Sequence, residues 1–197
     1  MLLLWDILGT FVFCVSGAIA GRQNQMDWFG MFVVALVTGT GGGMLRSLLI
    51  GDLPPAFLKD PIYFVVAGVA TVVAVVGANA WSRMRRAVSV MDALGLGLFV
   101  VTGIRVAQAH DLPWWAALAL GVISATFGGL LRDVIRNEVP LVLRKEIYAT
   151  ACLIGGLALL ALDALGVPEE FALGATTGIV VIIRLLAIRY AIHQSEA

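Results

Sequence analysis

The chain has 197 residues, 60% of them hydrophobic and 13% charged, with a mean hydropathy of +0.98. A soluble domain carries about 25% charged residues, so this chain cannot cover itself with polar groups and its solvent is lipid. The 13 basic residues balance the 13 acidic ones, which gives no case for nucleic acid, whose binding needs a basic face or stripe.

In chain order, seven stretches have the length and apolarity of a membrane span. They are Leu2–Ala20, Trp28–Ile50, Ile62–Trp81, Val90–Val106, Trp114–Ile135, Ile147–Leu165 and Phe171–Tyr190. The expected fold is an all-α integral membrane protein with seven transmembrane helices. The first stretch contains Ala18-Ile19-Ala20, which resembles a signal-peptidase site. A signal peptide wants a basic n-region, and the only early charge is Asp6, so the segment is expected to be retained. The connections are short and polar or proline-rich, from Arg22-Gln-Asn-Gln25 and Gly51-Asp-Leu-Pro-Pro55 to Asn137-Glu-Val-Pro140 and Pro168-Glu-Glu170. Such lengths suit antiparallel neighbours. Trp5, Trp28, Trp81, Trp114 and Trp115 fall near span ends, where the amphipathic indole anchors at the interface.

Basic residues alternate between the two sides. One side receives Arg22, then Arg83, Arg85 and Arg86, then Arg136, Arg144 and Lys145, then Arg189. The other receives Lys59 and Arg105, and its last connection carries Asp163, Glu169 and Glu170. The positive-inside rule then puts the N-terminus outside and the C-terminus in the cytoplasm of a multi-pass cell (inner) membrane protein.

An 86-residue shift lays the chain on itself without a gap. Asp6 falls on Asp92, Gly9 on Gly95, Phe13 on Phe99, Ser16-Gly17 on Thr102-Gly103 and Trp28 on Trp114. Thr38 falls on Ser124, Thr40 on Thr126, Gly42-Gly43 on Gly128-Gly129, Leu45-Arg46 on Leu131-Arg132 and Lys59-Asp60 on Lys145-Glu146. Chance overlap of greasy segments explains leucine on leucine, but not polar, glycine and tryptophan matches in one register. Two three-span units are expected, residues 1–82 and 88–166, with a seventh helix at 170–191. Three is odd, so the second unit enters the membrane from the opposite side. Inverted repeats of this kind place their pathway at the repeat interface near mid-bilayer.

The middle span of the first unit reads Thr38-Gly39-Thr40-Gly41-Gly42-Gly43-Met44-Leu45-Arg46, and that of the second reads Ser124-Ala-Thr126-Phe-Gly128-Gly129-Leu-Leu-Arg132-Asp133. Each glycine costs a helix interior about 1 kcal/mol relative to alanine. A kink or unwound stretch is therefore expected at Gly39–Gly43, and a milder one at Gly128-Gly129. Broken backbone at membrane depth lines a wet cavity or is buried, and its freed carbonyls can coordinate cations. The hydroxyls of Thr38, Thr40, Ser124 and Thr126 either patch that backbone or hydrate an ion. Close packing of small residues is the competing account.

Arg46 and Arg132 follow the glycines by about one turn, and an arginine at span depth faces the bundle interior or water. Asp6 and Asp92 form a second matched pair, one near each mouth. Asp133 follows Arg132 directly, and because adjacent helical residues point apart the two are not expected to pair. Arg184, in the last span, is a further buried charge in need of a partner, and with Asp6 and Asp92 it is an expected mouth or gating charge. Snorkelling to the interface or a structural ion pair is the plainer account of each of these charges. Cys14 and Cys152 lie in apolar runs without CxxC spacing, and His110 and His193 fall in a loop and near the C-terminus. Two buried thiols, no metal and no cofactor are expected. No nucleophile–base–acid set stands at one depth, so an enzyme is not expected.

Three features together resemble the prokaryotic trimeric intracellular cation (TRIC) channel family: the duplicated unit, the paired glycine-rich middle spans ending in arginine, and the seventh span. The carrying residues are Gly39-Thr-Gly-Gly-Gly-Met-Leu-Arg46, Phe127-Gly-Gly-Leu-Leu-Arg-Asp133 and Arg144-Lys-Glu-Ile-Tyr-Ala-Thr150. The resemblance covers nearly the whole chain. It implies a homotrimer in lipid whose subunits each hold an hourglass pore lined by kinked second and fifth helices. It also implies passive monovalent-cation conduction, with potassium the main ion and sodium a second. Phe127 departs from the pattern, standing where Gly41 stands in the first unit. A secondary carrier for a small amino acid such as glycine stays open beside the channel. In that reading the two arginines bind a carboxylate, and Asp133 or Asp92 an ammonium.

Overall fold

The computed structural model of the protein describes residues 2–77, 86–144 and 147–193. Trp81, Arg83, Arg85, Lys145 and Glu146, used above for interface anchoring, side preference and repeat matching, lie outside the described residues, as does the side chain of His193.

Every described element is a helix: α1 Leu2–Gln23, α2 Trp28–Ile50, α3 Ala56–Lys59, α4 Ile62–Val76, α5 Ala87–Ala109, α6 Trp114–Ile135, α7 Leu141–Arg144, α8 Ala149–Ala164 and α9 Glu169–His193. Five of these, α1, α2, α5, α6 and α9, are long and apolar enough to cross a membrane. The described parts of α4 and α8, 15 and 16 residues, are apolar but shorter. Helix ends run past the expected spans, as at Gln23, Ala87 and Glu169, because apolarity marks only the part in hydrocarbon while the helix continues into the headgroup layer.

The local stops have simple causes. Asp27 caps α2 through a 2.7 Å bond from the Gly30 amide, one of the donors a helix N-terminus leaves unpaired. Gly51 ends α2 in the left-handed region at φ 74°, which costs glycine least. The chain also turns left-handed at Gln25, Asp111 and Asn137, with φ of 57°, 54° and 56°.

α1 and α5 form the centre. Both are buried over long runs of small and apolar residues, Gly9 to Gly21 in α1 and Ala87 to Ala107 in α5. α1 packs on α2, α4 and α5, and α5 on α6, α8 and α9. Where they meet, Phe13 and Phe99 stack with ring centroids 5.3 Å apart. Phe13 lies over Gly95 and Phe99 over Gly9, so each ring occupies the space a Cβ would take on the other helix. The outer surface is apolar, with Leu4, Phe29, Val65, Val72, Ile182 and Leu186 exposed. In water such a surface would drive aggregation; in lipid it is ordinary solvation. The chain is a multi-pass membrane protein. Trp28, Trp114 and Trp115 are exposed at helix starts, as interfacial anchors are.

Candidate functional site

The site is built around the crossing of α2 and α6. A Cβ on Gly42 would strike the Ser124 carbonyl oxygen, and one on Gly128 would strike that of Thr38. The two helices therefore touch backbone to backbone at two reciprocal points. Gly39 sits against Cys14 and the Thr10 carbonyl, and Gly41 against Leu131. Gly43 opens on a cavity, with the Arg46 guanidinium as its nearest neighbour.

The expected unwinding is not there. α2 is helical from Trp28 to Ile50 and α6 from Trp114 to Ile135, glycine tracts included. The hydroxyls explain part of this. Thr38, Thr40 and Thr126 donate to the carbonyls of Val34, Leu36 and Val122 at 2.6, 2.7 and 2.9 Å. Each hydroxyl bonds four residues back along its own helix, a pattern that bends a helix slightly without breaking it. Close helix contact offsets the intrinsic cost of the glycines, so packing accounts for Gly39, Gly41, Gly42 and Gly128. No freed carbonyl is supplied by these tracts. Ser124 differs: its hydroxyl is buried without a hydrogen-bond partner among the described residues.

The arginines lie at opposite ends of this crossing, each with an aspartate from a central helix and a tyrosine. At one end Arg46 donates to Asp6 across 3.2 Å, and the Tyr63 hydroxyl donates to the other Asp6 oxygen at 2.8 Å. A cavity of about 10 Å³ beside them is lined by Asp6, Thr10, Thr40, Arg46, Tyr63 and Phe99, room for roughly one water. At the other end Arg132 donates to Asp92 and to Ser16, at 2.7 and 2.8 Å. The Tyr148 hydroxyl lies against Asp92. A cavity of about 280 Å³ opens beyond, lined by Arg86, Arg132, Asp133, Arg136, Glu138 and Arg144.

The two ends differ in wetness. Arg132 and Asp92 are fully buried and Tyr148 is 1% exposed, whereas the Arg46 and Asp6 side chains keep 7% and 13%. Asp92, expected at a mouth, is instead sealed inside the bundle. Arg132 and Asp133, expected not to pair, do so at 2.8 Å. The Arg132 side chain is long enough for its Nε to reach the neighbouring carboxylate, and both groups are buried. The second Asp133 oxygen accepts the Leu141 amide at 2.9 Å and so fixes the start of α7. Arg184 finds its partners in the Ile147 carbonyl and the face of the Tyr148 ring, 4.6 Å from its centroid.

Sequence reasoning missed Tyr63 and Tyr148 as members of these sets. A signal was present: Ile62-Tyr63 and Ile147-Tyr148 repeat at a spacing of 85 rather than 86, one residue out of the register that aligned everything else. Other charges serve the periphery. Arg105 makes a two-pronged pair with Asp163 at 2.6 and 2.8 Å, joining α5 to α8. Lys59, 2.7 Å from Asp52 in the α2–α4 connection, holds that exposed carboxyl below its usual range. Cys14 and Cys152 are free and buried.

A protein-family model described as "Glycine transporter" matches residues 3–79 and again residues 89–164. The chain is 39% identical over 193 residues to the inner membrane protein YadS of Escherichia coli (strain K12), covering 96% of this chain and 93% of that protein. It superposes on the TRIC trimeric intracellular cation channel orthologue from Rhodobacter sphaeroides with a TM-score of 0.90 and 39% identity, over 96% of this chain and 98% of that one. A prokaryotic TRIC channel solved in 0.5 M KCl superposes with a TM-score of 0.90 at 28% identity, over 97% of both chains.

Proposed function

Because the chain belongs to the prokaryotic trimeric intracellular cation channel family, we propose that it is a passive channel for monovalent cations, potassium foremost, with one pore in each subunit of a homotrimer. Its relatives are channels and membrane proteins, not enzymes. One observation carries the reading: two arginine–aspartate–tyrosine sets stand at opposite ends of the α2/α6 crossing, inside the bundle.

An inverted duplication with seven spans supports this pathway. The reciprocal contacts Gly42–Ser124 and Gly128–Thr38, and Gly9–Phe99 and Gly95–Phe13, are what a two-fold axis in the membrane plane would produce. The left-handed residues pair in the same register, Gln25 with Asp111 and Gly51 with Asn137. The family model matches two successive segments. With the N-terminus outside, the Arg46 set faces outward and the Arg132 set faces the cytoplasm.

A fixed arginine repels a cation, so neither set is a binding site. Each is a constriction whose arginine is neutralised by its aspartate while shut. The inner set is the tighter of the two. Its tyrosine hydroxyl would lie 2.8 Å from a Cβ on Gly129, while the nearest atom to a Cβ on Gly43 is 3.7 Å away. Opening then requires Tyr148 and Arg132 to swing off the pathway into the wide inner cavity. Gly129→Ala presses on the movable ends of Tyr148, Asp92 and Arg132, and is expected to raise open probability. Gly43→Ala, whose added methyl makes only an ordinary van der Waals contact with the Arg46 guanidinium, leaves open probability at the wild-type value. Single-channel recording of the two variants side by side checks this.

The test of the function itself is a bilayer recording of reconstituted protein under a potassium/sodium gradient. Voltage-driven current with a cation-selective reversal potential is expected. Saturable glycine uptake and exchange without such current would replace the channel with a carrier.

A further inference from the structure

α9 stands outside the two three-helix units, yet it carries a buried arginine. Arg184 is 3% exposed in the middle of a helix whose other face, at Ile182, Leu185 and Leu186, is open to the surroundings. Docking does not require it. α9 is already seated by Leu173 and Val180 in the core, and by the Thr177 hydroxyl, which donates to the Gly97 carbonyl at 3.1 Å. A guanidinium is costly to insert at this depth, so a helix needing only to pack would carry an apolar residue here.

What Arg184 touches is specific. Its Nη1 donates to the Ile147 carbonyl, and its Cζ lies over the Tyr148 ring, 4.6 Å from the centroid. Tyr148 is the residue whose hydroxyl rests on Asp92, the partner of Arg132. One turn further along α9, the Ile188 carbonyl accepts from Arg86 at 3.0 Å, just before the start of the helix that bears Asp92. α9 thus holds both the tyrosine and the aspartate-bearing helix of the inner constriction. Among the described residues no cation stacks on Tyr63, its counterpart at the outer end.

We propose that Arg184 is a positioning residue for the inner constriction: by stacking on Tyr148 and gripping the Ile147 carbonyl, it keeps the tyrosine hydroxyl on Asp92 and the pathway shut. The proposal rests on the channel reading above. A cation held over the ring face is attracted by the ring quadrupole.

The experiment is single-channel recording of wild type, Arg184→Met, Arg184→Lys, Tyr148→Phe and the double variant Arg184→Met/Tyr148→Phe, each first shown to run as an intact oligomer. Arg184→Met is expected to raise open probability by about fivefold or more, the scale of a modest coupling free energy. Unitary conductance and cation selectivity stay unchanged, since the residue does not line the pathway. Tyr148→Phe acts in the same direction, and the double variant exceeds neither single by much, because both break one chain of contacts. Arg184→Lys keeps the charge without the planar fork and falls between. Should Arg184→Met fail to assemble, Arg184→Lys carries the test, and a wild-type open probability there overturns the proposal. Lowered thermal stability with unchanged open probability makes Arg184 a purely structural anchor. A silent wild type defeats the channel reading and this proposal with it; conducting wild type with unmoved variants defeats this proposal alone.

Discussion

Gly42→Ala is expected to lower the thermal midpoint of the detergent-solubilised protein sharply, and Gly128→Ala to do the same. The added methyl group at either position runs into a backbone carbonyl, of Ser124 or of Thr38. A flexible side chain could turn aside, but a helix backbone cannot, so α2 and α6 must separate along their contact. Overpacking costs about 1–3 kcal/mol where side chains absorb it; here the cost lies at or beyond the upper end of that range. Alanine favours the helix over glycine by about 1 kcal/mol, which does not offset the clash. The control is Gly43→Ala, whose nearest neighbour is the flexible Arg46 guanidinium at an ordinary contact distance of 3.7 Å, and it should hold or slightly raise the midpoint. Equal midpoints for Gly42→Ala and Gly43→Ala would show that the two helix backbones are not in tight contact at the crossing.

Arg132→Met should destabilise the protein more than Asp92→Asn, although the two residues are bonded to each other. Arg132 is flanked by two carboxylates, Asp92 at 2.7 Å and Asp133 at 2.8 Å, and is itself fully buried. Removing the arginine leaves two acids facing each other with no cation between them. Breaking a buried pair costs about 3–5 kcal/mol because of the charge left behind, and here two are left. Asp92→Asn still leaves Arg132 neutralised by Asp133, and the amide oxygen can accept the existing bond. A thermal-unfolding series on the two variants, with Arg46→Met as the partly solvated comparison, orders the costs. The expected ranking is Arg132→Met largest, then Asp92→Asn, with Arg46→Met below Arg132→Met because it abandons one carboxylate that Tyr63 still serves. A reversal of the first two would mean that Asp133 does not neutralise Arg132.

Much of the site was legible before any coordinates. Arg46, Arg132 and Arg184 stood out because charge in an apolar span needs a partner, and all three proved to be buried. Asp6 and Asp92 were legible only as a matched pair near the mouths, and the fold makes them the partners of Arg46 and Arg132. The glycine tracts were legible as unusual but not as to purpose. Helix propensity said they should weaken the helix, and propensity is a weak prior once tertiary contact rewards closeness. Tyr63 and Tyr148 escaped because a tyrosine near a span end reads as an interface anchor, and because their spacing slips by one residue from the repeat.

By itself the sequence determined the solvent, the helical class and the family, since each follows from quantities summed along the chain: apolar content, span length and the spacing of punctuating residues. It also marked Arg46, Arg132 and Arg184 as charges that need partners inside the bundle, though not Asp92. The tertiary structure alone decided which groups meet. Asp6 reaches Arg46 across 40 residues of chain, and Ser16 reaches Arg132 across 116. Such pairings depend on how closely two helices approach and how far a side chain can bend. That approach is set by a methyl group's width at Gly42 and Gly128, a distance no pattern of residue types records.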